Sequence, residues 1–250
     1  MRFIICYFLI GIIQSSSSAQ IVNVESHRLQ KDTTGWFGNF GTRFQFEKNA
    51  VEVININLTA YVEHQTAKGV YLFFANYNLL KGNNRSLYDN TFYHLRYNYK
   101  INPWLHLEAF TQLQRNDITG IGLRRLVGIG PRFKLVGGKK FILHAATAAM
   151  YEYEREKTIP IIYHNEIRSS SYVSLNYTPS AYTELSGTIF YQPLFSDYHN
   201  YRVLNEITAK FRIIKHLSFK IIWYYLHDSN PAAGTPKFNY SIINEIEYSF

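Results

Sequence analysis

The sequence predicts an all-β fold, a transmembrane antiparallel β-barrel of about twelve strands. Three observations lead to it: a closing segment that alternates up to an aromatic carboxyl terminus, an export signal at the other end of the chain, and the same alternation throughout the chain between them. In the closing segment, one side carries Phe238, Tyr240, Ile242, Ile246, Tyr248 and Phe250, and the other carries Asn239, Ser241, Glu245, Glu247 and Ser249. Such a segment shows one face to lipid and the other to a lumen.

The amino-terminal residues have the organisation of a secretory signal peptide. Arg2 precedes an apolar run over residues 3–13, and Ser17 and Ala19 stand where a signal peptidase reads small residues before a cut at Gln20. A helical anchor is the alternative, but the run is about half of the ~20 residues that a transmembrane helix needs.

These features predict the organisation of the whole chain. We expect a signal peptide at 1–19, a short periplasmic segment at 20–34 and the barrel at 35–250. The single cysteine, Cys6, would leave with the signal peptide, so the mature chain would have no disulfide.

The composition fits a wall of strands better than a globular core. The chain contains 21 Tyr and 18 Phe, yet its mean hydropathy is −0.20. Each barrel strand gives only alternate residues to lipid, so its apolar signal is diluted by half. A soluble β-sandwich or a lipocalin-like barrel also alternates, but it leaves the aromatic residues near strand ends unexplained.

The strands are read from period-two alternation, which a helix does not produce. The first strand separates Trp36 and Phe44 from Arg43, and the fourth and fifth strands separate their faces equally well. The third and seventh are the least clear, because apolar residues run together at 71–74 and the stretch 145–149 is nearly featureless, so ten strands is the alternative. The predicted strands are 35–46, 51–63, 69–80, 88–100, 104–115, 121–135, 141–154, 171–178, 182–192, 199–213, 217–227 and 238–250.

The connections alternate in length, as they do in outer-membrane barrels. The turns at 101–103, 136–140, 179–181 and 214–216 are short and face the periplasm if the carboxyl terminus does. The links at 81–87, 155–170 and 228–237 are longer, richer in Asn, Ser, Gly and Pro, and would face outward.

Several motifs together resemble the salt-induced outer-membrane protein family, a β-barrel family of unknown function. They are the stretch Arg124–Phe133, the pairs Asp197-Tyr198 and Tyr201-Arg202, the loop His227–Pro231 and the closing strand. The likeness covers most of the mature chain. The last loop departs from the family's paired-proline turn, because Ala232 follows Pro231 here. The resemblance implies an outer-membrane barrel and supplies no reaction and no ligand.

Strand parity places nine basic and seven acidic residues in the lumen, so the charges there nearly balance. Buried charges are costly unless they are paired, so a network of Arg–Glu pairs that holds the wall together is one interpretation, and a water channel with residual positive charge is the other. The candidate lumen network consists of Arg43, Arg96, Glu108, Arg124, Arg132, Glu184, Arg202, Glu206 and Lys210.

The formal net charge of +8 is typical of proteins with acidic partners, such as nucleic acids or the phosphates of lipids. The basic residues are scattered rather than clustered, which argues against nucleic-acid binding. Those near outward loops would meet lipopolysaccharide phosphates, and the strand ending in Tyr248 and Phe250 would be the signal that the barrel-assembly machinery recognises. The proposed phosphate contacts are Lys81, Arg85, Arg155, Lys157 and Arg168.

No motif predicts catalysis, a metal or a cofactor. His227-Asp228-Ser229 holds residue types of a hydrolytic site, but neighbouring strand residues point to opposite faces and Asp-Ser-Asn-Pro is a turn sequence. We therefore predict a non-enzymatic barrel with a structural role or restricted passage of small solutes, with a weak preference for anions if the lumen is open. A lipid-modifying rim enzyme and an interaction barrel that works through the loop at 155–170 are the alternatives.

Overall fold

The computed structural model describes Glu25 and residues 33–48, 52–83, 85–117 and 119–250. The predicted signal peptide, 1–19, lies outside the described residues. Among the residues described, no helix has the length and apolar character needed to span a membrane. The strands are β1 (Gly35–Lys48), β2 (Glu52–Gln65), β3 (Gly69–Gly82), β4 (Arg85–Lys100), β5 (Leu105–Asn116), β6 (Ile121–Gly137), β7 (Phe141–Glu156), β8 (Tyr163–Ser180), β9 (Thr183–Pro193), β10 (Tyr201–Ile214), β11 (Leu217–Asp228) and β12 (Phe238–Ser249).

The strands form one closed antiparallel barrel. Each strand pairs with its neighbour in sequence, and β12 returns to pair with β1. Closure gives every strand two partners, which is the arrangement a membrane demands because lipid offers no hydrogen bonds to a free edge. The prediction of a twelve-stranded barrel is confirmed, and the ten-stranded alternative is wrong.

The largest error of the sequence prediction is the start of β8. The strand begins at Tyr163 rather than at residue 171, so most of the predicted outward loop at 155–170 is strand. The first residues of β8 are polar on both faces, with Asn165 pointing out and Glu166 pointing in. Above the lipid both faces of a strand meet water or polar groups, and the alternation of hydropathy disappears.

The lipid-facing side is apolar and carries two bands of aromatic residues. In the closing strand the exposed residues are those predicted, for example Tyr240 at 63% and Ile242 at 70%. At the end of the barrel that carries the carboxyl terminus, which is expected to face the periplasm, rings stack sideways from strand to strand, with centroids 4.3 Å apart between Trp36 and His64 and 4.6 Å apart between Tyr71 and Tyr97. The outer band includes Tyr191, Tyr201, His227 and Phe238. Aromatic girdles of this kind mark the two membrane interfaces.

The lumen contains apolar side chains as well as charges. One buried cluster comprises Tyr61, Leu72, Phe74 and Phe92, and a second comprises Ala146, Tyr172, Phe190, Leu204, Tyr224 and Leu226. This explains the aromatic run in β3, where Leu72 and Phe74 point inward while Tyr71 and Phe73 point to lipid. The interior is therefore packed in part like a protein core.

The seam between β1 and β12 is the shortest pairing in the barrel. Its register runs from Asn39–Ser249 to Thr42–Ile246, whereas β1 and β2 pair from Gly35–Gln65 to Lys48–Glu52. Phe250 extends the seam: its N–H donates to the Gly38 carbonyl at 3.1 Å and its carbonyl accepts from the Gly38 N–H at 3.5 Å.

Hydrogen bonds from a side chain continue the contact where the backbone pairing of β1 with β12 ends. Arg43 lies just beyond the last pair, and its Nε and Nη2 donate to the backbone carbonyl of Asn244 at 3.3 and 3.2 Å. The guanidinium thus satisfies a carbonyl that a longer ladder would have paired.

Candidate functional site in the barrel lumen

Alternate residues of the strands place three groups of charges inside the barrel. The outer cluster, near the outward ends of the strands, consists of Arg124, Glu152, Glu154, Glu166, Arg168, Arg202 and Asp228. The arginine-pair cluster, toward the periplasmic ends of β4 to β6, consists of Glu25, Arg96, Glu108, Arg132 and Tyr172. The lysine cluster, on the opposite wall, consists of Lys210, Lys220, Glu245 and Glu247.

The outer cluster is centred on Glu152, whose side chain is buried. Its Oε1 accepts from Arg202 Nη1 at 2.7 Å and its Oε2 accepts from Arg124 Nη2 at 2.9 Å. Arg168 Nε lies 3.4 Å from the same Oε2. Because Arg202 stands on β10 and Glu152 on β7, this pair crosses part of the lumen instead of joining adjacent strands.

The remaining acids of the outer cluster give each arginine a second partner. Asp228 accepts from Arg202 Nε at 2.8 Å, Glu166 accepts from Arg168 Nη2 at 2.6 Å, and Glu154 lies 3.5 Å from Arg124 Nε. Sharing of this kind gives three buried guanidinium groups more than one carboxylate each, which offsets part of the cost of burying their charge.

The arginine-pair cluster brings together residues of five different segments. Tyr172 on β8 donates from its hydroxyl to Glu108 Oε2 on β5 at 2.8 Å, a second link across the lumen. Glu108 Oε1 lies 3.7 Å from Arg96 Nη1 and 3.5 Å from Arg132 Nε. Glu25, from the segment before the barrel, contacts both arginines.

The lysine cluster links three strands of the opposite wall. Lys220 Nζ donates to Glu245 at 2.9 Å and to Glu247 at 3.1 Å, and Lys210 Nζ donates to Glu247 at 2.5 Å. These links tie β10, β11 and β12 together close to the seam.

Two small cavities lie between these clusters and share Arg124 as a wall. One, of about 30 Å³, is also lined by Arg96, Gln112 and Gln192, and therefore separates the arginine-pair cluster from the outer cluster. The other, of about 20 Å³, reaches from Arg124 and Arg202 to the loop between β11 and β12. Each is large enough for about one or two water molecules.

Several guanidinium groups retain a donor. Within the part of the chain that the structure describes, Nε of Arg124, Arg132 and Arg168 is buried and donates no hydrogen bond. Each of these Nε atoms instead lies 3.4 to 3.5 Å from a carboxylate oxygen, a distance of ion pairing without a hydrogen bond; the acids are Glu154 for Arg124, Glu108 for Arg132 and Glu152 for Arg168.

The structure locates the remaining members of the candidate network that the sequence predicts. Glu206 is buried in the lumen, and Arg43 is half-buried beside the seam. Glu184 is half-buried and lies opposite Lys210 in the register of β9 and β10.

Several participants were not among the candidate network residues of the sequence analysis, and four of them were misplaced or missed for identifiable reasons. Arg168 was assigned to an outward loop facing lipopolysaccharide, which is wrong, because it is 2% exposed inside the barrel. Glu154 and Asp228 were missed because they lie at strand ends, where the alternation fades. Glu25 was missed because it precedes the barrel. The small excess of basic over acidic residues in the predicted lumen is the one sequence signal that a further acid could lie there.

The contacts of the His227-Asp228-Ser229 segment separate its side chains. The His227 ring packs between Tyr201 and Phe238 on the lipid side, with centroids 5.4 and 4.8 Å away. Asp228 points to Arg202 in the lumen, and Ser229 Oγ accepts from the backbone N–H of Tyr201 at 2.8 Å. This arrangement does not orient an imidazole toward a serine.

An ionic contact also joins two outward loops. Asp117, after β5, accepts from Lys157, after β7, and from Arg115 Nε at 3.2 Å. Partial burial acts to raise the pKa of Asp117, but the hydrogen bonds from Lys157 and Arg115 outweigh it and hold that pKa below its ordinary value.

The aromatic girdles, the lipid-facing alternation and the charged interior define a transmembrane β-barrel of the outer-membrane class. The chain belongs to the family described as "Protein of unknown function, DUF481", whose profile matches residues 51–250. No curated protein matches the chain. The family description names no activity.

Solved structures show the same fold at low sequence identity. The COG4313 outer membrane channel from Pseudomonas putida F1 has a TM-score of 0.55 at 10% identity, covering 92% of this chain and 100% of that one. The NanC porin has a TM-score of 0.52 at 11% identity, covering 86% and 99%. The translocator domain of the autotransporter NalP from Neisseria meningitidis has a TM-score of 0.55 at 10% identity, covering 87% and 89%.

Proposed function

We propose that this outer-membrane barrel is non-enzymatic and allows restricted passage of small anionic solutes. The observation that carries the proposal is the pair of cavities that meet at Arg124, because together they outline an interrupted path from the outward loops to the arginine-pair cluster. The names of two similar structures, an outer membrane channel and a porin, favour the same class of function.

The anion preference rests on the inner cavity of this path. Its charged lining consists of Arg96 and Arg124, whereas the outer cavity is lined by Arg124 and Arg202 together with Glu154 and Asp228. A guanidinium offers five N–H donors in a fixed plane and stays charged, so each position can replace part of the hydration shell of a passing anion. The acids that pair with these arginines keep the path narrow, which is why we expect small conductance.

Single-channel recording of the refolded protein in a planar bilayer tests this proposal. In a gradient of potassium chloride we expect small openings whose reversal potential shows preference for chloride over potassium. A folded barrel that passes no current, or one that prefers cations, would refute the proposal.

A pair of variants assigns the selectivity to the lumen. Arg202→Gln removes the charge that crosses from β10 to β7, and we expect a larger conductance with weaker anion preference. Arg125→Gln is the matched control, because Arg125 is the exposed neighbour of Arg124 on the outer face of β6. Equal effects of the two changes would show that the total charge of the barrel, not its lumen, sets the preference.

A structural role in the envelope is the second candidate, and the links across the lumen favour it. Tyr172–Glu108 and Arg202–Glu152 connect strands that are not neighbours, so they brace the wall. Outward basic residues such as Arg155 would add contacts to lipopolysaccharide phosphates. This role predicts a silent barrel whose loss makes cells sensitive to detergents.

A further inference from the structure

Glu25 occupies a place that no residue of the barrel wall fills. It precedes β1 by ten residues, and its side chain is nevertheless completely buried inside the barrel. Its two carboxylate oxygens are held separately, Oε1 by Arg96 Nη1 at 2.5 Å and Oε2 by Arg132 Nη2 at 2.7 Å. The lumen thus contains a carboxylate that is bound much as a ligand would be.

The two arginines are positioned by the wall and not by Glu25. They stand on β4 and β6, on either side of β5, and strand alternation points both inward. Arg96 is supported from two sides, with its guanidinium carbon 5.6 Å from the Phe110 ring centroid and 5.8 Å from that of Tyr172. Cation–π contacts of this kind hold a guanidinium in place in a dry environment.

Among the described residues, two acids contact both arginines. Glu108 lies at 3.7 Å from Arg96 and 3.5 Å from Arg132, whereas the two oxygens of Glu25 lie closer, at 2.5 Å and 2.7 Å. Truncation of Glu25 would therefore remove a short ion pair from each arginine at a buried position, where the loss of a partner is costly.

The site also has room for further recognition. A cavity of about 30 Å³ adjoins Arg96. An organic acid slightly larger than a single carboxylate therefore finds space beside the contacts that Glu25 uses.

We propose that Arg96 and Arg132 form a binding site for the carboxylate of small organic acids, and that Glu25 fills this site in the present structure. Its role in transport rests on the proposed function, whereas the binding itself does not. Carboxylates would then be the preferred anions, because the site presents two separate donors to the two oxygens of one group.

Acetate is the probe, since it replaces the atoms that Glu25→Ala removes. The variant barrel is titrated with sodium acetate while its thermal unfolding is followed, and sodium chloride and neutral acetamide are the controls. We expect the midpoint of unfolding to fall by several degrees in the variant. Acetate should restore it with half-saturation on the order of 1 mM, because so small a ligand has few atoms with which to bind.

Further variants assign the effect to the site. Glu25→Ala combined with Arg132→Gln should lose the response to acetate, whereas Glu25→Ala combined with the exterior change Arg125→Gln should keep it. The wild type, whose site is filled, should respond to acetate no more than to chloride. Equal responses of the wild type and Glu25→Ala, or no response of the variant, would overturn the proposal.

Two further readouts cover the remaining outcomes. If Glu25→Ala does not fold alone, refolding in acetate should rescue the yield and acetamide should not; failure of acetate to rescue it would contradict the proposal. Bilayer currents carried by acetate separate the hypothesis of a carboxylate-binding site from the hypothesis of anion passage. Acetate-dependent stabilisation without current retains the binding site and rejects passage, whereas current without stabilisation retains passage and rejects the site.

Discussion

Glu152→Gln is the most direct test of whether the outer cluster is dry. The substitution keeps the size of the side chain and removes the charge shared by Arg124, Arg168 and Arg202. Removing one partner of a buried ion pair costs about 3–5 kcal/mol, mostly because the other charge stays buried.

The geometry places the expected cost at the lower end of this range. Each arginine keeps another acid: Glu154 at 3.5 Å from Arg124, Glu166 at 2.6 Å from Arg168 and Asp228 at 2.8 Å from Arg202. We therefore expect the free energy of unfolding to fall by about 3 kcal/mol.

Unfolding in urea, followed by the fluorescence of the three tryptophans, measures this change in the refolded barrel. Glu184→Gln is the control, because Glu184 also faces the lumen but is only half-buried. Its substitution should cost less than about 1 kcal/mol. If Glu152→Gln cost no more than Glu184→Gln, water would be screening the outer cluster and the reasoning from burial would fail.

Three other changes test the outward loops and the seam. Because the pKa of Asp117 is lowered in the folded barrel, its contribution to stability is present above its unfolded pKa of about 3.9 and is lost as the pH falls through the folded value. Lowering the pH from about 5 to about 2 should therefore reduce the free energy of unfolding of the wild type more than that of Asp117→Asn. Gly38→Val should weaken closure of the barrel, because a Cβ at this position would lie 2.5 Å from the Phe250 ring and 2.9 Å from the Tyr61 carbonyl. The folded barrel should then unfold at a lower temperature on heated gel samples. Gly187→Val is the control and should leave this temperature unchanged, because nothing lies within 4 Å of a Cβ there. Deleting Phe250 should reduce assembly in the outer membrane, and normal levels of folded barrel would contradict its role as the assembly signal.

The fold could be predicted because a membrane imposes its pattern on the sequence. Lipid requires an apolar residue at every second position, so β1 and β12 were recognised from residues such as Phe44 and Ile242 alone. The start of β8 could not be found in this way. Its outer end stands above the lipid, where neither Asn165 nor Glu166 is constrained to be apolar.

The site was predictable only to the level of residue faces. Parity places Arg96 and Arg132 in the lumen, but period-two alternation contains no information about which charges meet across it. The pairing of Arg202 with Glu152 depends on the curvature of the barrel, since β7 and β10 share no ladder. Glu25 lies outside every alternating segment, so no strand argument could assign it to the arginines.

The short seam has a consequence for how the chain reaches its final form. Every ladder other than β1 with β12 joins strands that follow one another, so each can form as a local hairpin with a small loss of chain entropy. The seam instead joins the two ends of the barrel sequence. It is the one pairing of high contact order, which is why we expect it to form last and to limit the folding rate. The reciprocal hydrogen bonds of Gly38 and Phe250 then complete the step that turns a curved sheet into a ring.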